Sequence, residues 1–81
     1  MLERVISVFK AAKSLRKRAY IKVTVPGQPY PEIIINYPGS LDYKADYYSR
    51  AYDENGQLRS NPEIKIIDVG MVEGIIFSER R

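Results

Sequence analysis

The sequence predicts an α+β fold: a small two-layer sandwich in the order α-β-β-α-β-β, with two helices on one face of an antiparallel sheet. Three observations lead there. Apolar residues recur at helical spacing over residues 2–18 and again from Leu41. Between and after these stretches the period drops to two, and Pro/Gly pairs mark most of the changes. With 81 residues, 44% of them hydrophobic, there is material for a single domain, residues 1–81, around one modest core.

Taken in order, residues 2–18 read as a helix. At 100° per residue, Leu2, Val5, Ile6, Val8, Phe9 and Ala12 fall within an arc of about 160°, a buried stripe. Lys13 and Arg16 land in the same arc, so the stripe closes near Ala12. From Ala19 the residues alternate: Ala19, Ile21, Val23 and Val25 share one face, and Tyr20, Lys22 and Thr24 the other, as in a half-buried strand. Pro26-Gly27 has the type II turn signature. Pro26, Pro29 and Pro31 keep the loop out of a sheet interior. Glu32–Tyr37 is the second strand, pairing back on the first as a hairpin; its consecutive Ile33, Ile34 and Ile35 imply that both faces are covered.

Pro38-Gly39-Ser40 punctuates again, with Ser40 placed as an N-cap and Asp42 in the first turn. Residues 41–54 read as the second helix, with Leu41, Ala45, Tyr48 and Tyr52 on an inward stripe and Asp46–Arg50 as an i,i+4 ion pair. A rival reading makes Tyr47–Asp53 and Gln57–Ser60 two strands, because tyrosines favour strands and Asn55-Gly56 is also a hairpin turn. After Asn61-Pro62, Glu63–Val69 and Met71–Ser78 are the last strands. Gly70 between them is either a tight turn or, with Gly74, a bulge in one long strand. Ser78 to Arg81 reads as a frayed tail.

Composition excludes more chemistry than it selects. Without Cys there is no disulfide and no thiolate, and without His the commonest zinc ligand and general base are missing. No nucleophile elbow, phosphate-binding loop or dinucleotide fingerprint is present. Ser14-Leu15-Arg16-Lys17 is a literal Ser-x-x-Lys, but on a cationic, exposed turn. Asp42 and Asp46, one turn apart, make at most half a metal site, and Asp53-Glu54-Asn55-Gly56 lacks the alternating ligands of a calcium loop. Pro26-x-x-Pro29 is a minimal PxxP, better explained as a stiff hairpin loop. The sequence therefore offers no catalytic residue, no metal or cofactor site and no small-molecule pocket. It carries no secretory signal and no apolar run long enough to span a membrane, and the expected location is cytoplasmic.

Two features point to partners. Seven tyrosines are present, and Tyr43 and Tyr47 fall on the outer face of the second helix near Arg50, residue types enriched at interface hot spots. The expectation is a non-enzymatic binding or assembly protein that contacts itself or a larger protein. Charge is also uneven: residues 1–22 hold seven Lys/Arg against Glu3 alone, while the whole chain is only +3. The alternative is a nucleic-acid-binding module that grips phosphates with Lys13, Arg16, Lys17, Arg18 and Lys22 and stacks a base on Tyr20.

Overall fold

A computed structural model of the chain describes residues 1–72. Helix α1 spans Leu2–Leu15, strand β1 Ala19–Thr24 and strand β2 Glu32–Asn36. A 3-10 turn, Pro38–Ser40, leads into helix α2, Leu41–Ala51, followed by strands β3, Gln57–Leu58, and β4, Asn61–Met71. The four strands form one antiparallel sheet in the order β2-β1-β4-β3, so β1 and β4 are central and β2 and β3 are the edges. Both helices pack on one face, giving the α+β order expected.

The core follows from the two periodicities. Val5, Phe9 and Ala12 of α1 and Leu41 and Tyr48 of α2 meet Ala19, Ile21 and Val23 of β1 and Ile66 and Val69 of β4 in one buried cluster, joined by Tyr52 just past α2. The Tyr48 ring sits edge-on between Phe9 at 5.8 Å and Tyr52 at 5.7 Å, centroid to centroid. Such aromatic contacts add about 0.5–1.5 kcal/mol beyond area burial. The helices run antiparallel, and Lys13 of α1 pairs with Asp42 at the start of α2 on the exposed rim. Pro26-Gly27 does turn as its residues dictate: Gly27 has φ +85°, and the Gln28 N–H donates to the Val25 carbonyl at 3.1 Å.

Several boundaries differ from the sequence reading. Helix α1 ends three residues early, at Leu15, because Arg16 adopts the left-handed conformation (φ 57°) and its N–H and that of Lys17 return to the Ala12 carbonyl. Ser40 does not cap α2 with its side chain; its hydroxyl donates back to the Tyr37 carbonyl at 3.1 Å. Helix α2 stops at Ala51, and Tyr52 is already extended, bridging to Leu58 across a loop whose tip is Asn55-Gly56. The Asp53 carboxylate holds that loop, accepting from the N–H groups of Asn55 (2.9 Å) and Gln57 (3.0 Å). So the helical reading of 41–51 holds, while Asn-Gly turns a short ribbon instead of ending a helix.

The last strands are arranged differently from the expectation. Gly70 is neither a turn nor a bulge: β4 runs through it without interruption. The bulge is at Ile67, where pairing steps from Lys22↔Asp68 to Val23↔Ile66. This extra residue shifts the parity, which is how Ile66 and Val69, three apart, both reach the core. The second member of the closing pair is β3, and the expected strand Met71–Ser78 lies, beyond its first two residues, outside the described residues. Nor are both faces of β2 covered. Among the described residues nothing packs on the face opposite the helices, and Ile33 and Ile67 there are 46% and 40% exposed.

Candidate functional site

Helix α2 starts beyond the Asn36 end of β2 and runs back toward the Glu32 end, so a groove forms between the helix and the sheet edge. Ile34 of β2 lines it, with Tyr43, Lys44, Tyr47, Tyr48 and Tyr52, around a volume of about 310 Å³. Helical spacing explains the lining: Tyr48 and Tyr52 are four apart and lean into the core, while Tyr43 and Tyr47, also four apart, form the outer lip. Tyr43 is 65% exposed and Tyr47 44%. Tyr47 also touches Tyr48 edge-on at 5.3 Å, which steadies the lip against the buried ring.

The floor is unusual in its polarity. Burial pushes the Tyr48 hydroxyl up to about 12 from its ordinary value near 10, and the neighbouring Tyr52 and Tyr47 add to the shift. The Asn36 amide lies beside that hydroxyl and pulls the other way. Yet neither its nitrogen nor its oxygen reaches hydrogen-bond geometry with any described group, although Asn36 is only 2% exposed. Tyr52 is also raised, first by burial and then by the charges of Tyr47 and Glu32. These phenols are neutral throughout the physiological range. The groove is thus an aromatic surface whose described lining carries one cation, Lys44, with Glu32 acting on its Tyr52 end.

Of the three contact residues expected from sequence, Tyr43 and Tyr47 stand together on this lip. Arg50 does not line the groove; its guanidinium is tied to Asp46 at 2.9 Å, the i,i+4 pair the spacing predicts. The sequence alone does not mark Ile34 or Lys44. Ile34 was hidden in an isoleucine triplet that reads as interior, and nothing in a single Lys on a polar face marks it.

The basic residues divide. Arg16, Lys17 and Arg18 line a shallow hollow of about 430 Å³ with Tyr37, Pro38 and Val72, and the Arg18 guanidinium lies 5.8 Å from the Tyr37 ring centroid. The other candidates, Lys13, Lys22 and the stacking residue Tyr20, do not join them. Lys13 is paired with Asp42. Tyr20 lies across Gly70 on the open face of the sheet and donates to Asp68 at 3.1 Å, and Lys22 stands opposite Asp68 in the β1–β4 register. Among the described residues no cluster of three or more acidic side chains could hold a metal ion, and no helix is long and apolar enough to cross a membrane.

In comparisons with known proteins, no protein family, no curated protein and no solved structure matches this chain.

Proposed function

We propose that this chain is a small non-enzymatic binding or assembly protein, acting by self-association and protein–protein contact, and that the α2–β2 groove is its contact surface. One observation carries the reading: four tyrosines and an isoleucine line a groove beside the β2 edge of the sheet, which no described residue pairs. Tyrosine offers large, rigid contact area at low entropic cost, which is why it is enriched in interface cores. A core of this size also gains from burial that a partner supplies. The reading places the protein in the cytoplasm.

Sedimentation equilibrium over a concentration series to several hundred micromolar tests this. The wild-type chain is expected to associate, and Tyr43→Ala with Tyr47→Ala to shift it toward monomer while leaving its circular dichroism unchanged. A wild-type chain that stays monomeric throughout would count against self-association.

A second reading, nucleic-acid binding, rests on Arg16, Lys17 and Arg18 sharing one hollow with the Tyr37 ring. It ranks lower because Lys13 and Tyr20 are bonded elsewhere, because Lys22 stands in the sheet opposite Asp68, and because the hollow sits at the negative end of α1. Binding to heparin or DNA should then weaken steeply with salt, and replacing Arg16 and Arg18 by Gln should flatten that slope. No retention at low salt disposes of this reading.

A further inference from the structure

We infer that a second copy of this chain covers the edge of β2 that no described residue pairs, the two β2 strands pairing antiparallel about a twofold axis at Ile34. Two four-stranded sheets then become one continuous sheet. The inference rests on the assembly reading above and names its partner and register.

The two edges of the sheet are not alike. β3 is blunted by its length, two residues. β2 is five residues long, pairs with β1 without a register break, and holds neither Lys nor Pro between Glu32 and Asn36. Natural edges of that length normally carry a lysine, a proline or a bulge that prevents pairing. Here Pro31 and Pro38 stand outside the strand, limiting the length that can pair without blocking it.

The edge is also complementary to itself. Antiparallel pairing about Ile34 sets Ile34 against the partner's Ile34, Ile33 against the partner's Ile35, and Glu32 against the partner's Asn36. Ile33 and Ile35 share the open face of the sheet, so their apolar surfaces join into one stripe across the junction. On the other face Ile34 lies in the tyrosine groove, so the two grooves meet there.

Charge selects this direction over the others. Neither Glu32 nor Lys44 makes an ion pair among the described residues. Glu32 stands at the Tyr52 end of the groove, where its charge raises the Tyr52 phenol; Lys44 stands one turn into α2, toward the Asn36 end. The twofold axis carries the partner's Glu32 to the Asn36 end, beside Lys44, and does so twice. Parallel pairing of the same two edges would instead turn the partner's sheet over, putting its Glu32 on the face away from Lys44.

The chain has no cysteine, so cysteine trapping reads the register cleanly. Opposed residues in an antiparallel pair alternate between Cα separations of about 5.5 and 4.5 Å, both within the disulfide range. Ile34→Cys should therefore cross-link to itself on mild oxidation, and an equal mixture of Ile33→Cys and Ile35→Cys chains should give mixed dimers faster than either alone. Ile33→Lys, at an exposed position, should weaken the dimer by at least about tenfold. Glu32→Lys and Lys44→Glu should each weaken it by roughly 3- to 10-fold, and the double reversal should restore it. Self-association that persists without these cross-links, or that ignores both Ile33→Lys and the charge reversals, overturns the β2 pairing but leaves the assembly reading intact. A chain that never associates overturns both.

Discussion

Asn36 has a buried amide whose nitrogen and oxygen find no hydrogen-bond partner among the described residues. A buried unsatisfied polar group costs about 1–3 kcal/mol, whereas an apolar group of similar size at a strand position costs nothing of that kind. Asn36→Val should thus raise stability by about 1 kcal/mol, read from urea denaturation. A loss of that size would show instead that an ordered water satisfies the amide. Its neighbour Tyr48 predicts a pH effect. The folded phenol titrates at about 12 and the unfolded one near 10, so below pH 10 both are protonated and the contribution is fully present. As pH rises from about 10 to 12 only the unfolded state ionises, and stability falls by about 1.4 kcal/mol per pH unit from this residue. Tyr52 shifts the same way. Unfolding free energies at pH 9, 10 and 11 should therefore decline, and Tyr48→Phe should make the decline shallower. An identical slope in the variant would refute the assignment.

Helices α1 and α2 were legible because their signal is local: a stripe such as Val5, Phe9 and Ala12 needs only the spacing of the chain itself. Strand β1 was legible for the same reason, its alternation surviving from Ala19 to Thr24. The bulge at Ile67 was not, because a two-against-one pairing is a property of β1 and β4 together, and the run Ile64–Val69 looks apolar in either register. Gly70 misled for a related reason. A Cβ there would lie 2.8 Å from the Tyr20 hydroxyl and 2.9 Å from a ring carbon, so the glycine makes room for a ring from the neighbouring strand instead of turning the chain. Aromatic rings often cover strand glycines in this way. The candidate site was half legible: Tyr43 and Tyr47 stand out on a helical wheel, but Ile34 and Lys44 join them only once β2 is known to be an edge. The Tyr20–Gly70 contact makes its own prediction. Gly70→Ala should destabilise the wild-type chain, because the ring must move and loosen its bond to Asp68. In a Tyr20→Ala background the same change should stabilise by about 0.5–1 kcal/mol, since alanine is the better strand residue once space is free. A double-mutant cycle measures the difference, and additive effects would rule the contact out.

At the level of the assembled chain, one face of the sheet is sheltered by helices and the other, with Tyr20, Ile33, Ile35 and Ile67, is covered by nothing among the described residues. A domain this short, with one layer of helices, has little stability to spare. Pairing two copies through β2 adds buried isoleucine and tyrosine at the point where the single chain is thinnest, and couples folding to association. Mass action then sets the expected outcome. Above the dissociation constant, each tenfold rise in concentration adds about 1.4 kcal/mol per mole of dimer, which for a domain of this size is a rise of several degrees in the melting temperature. Melting followed by circular dichroism at 5, 50 and 300 µM, concentrations chosen to span about two decades, should climb steadily for the wild-type chain and stay flat for Ile33→Lys until the concentration passes its weaker dissociation constant. If the wild-type curve is flat as well, the chain derives its stability from its own core alone, and neither the bare β2 edge nor the tyrosine groove serves to join copies of it.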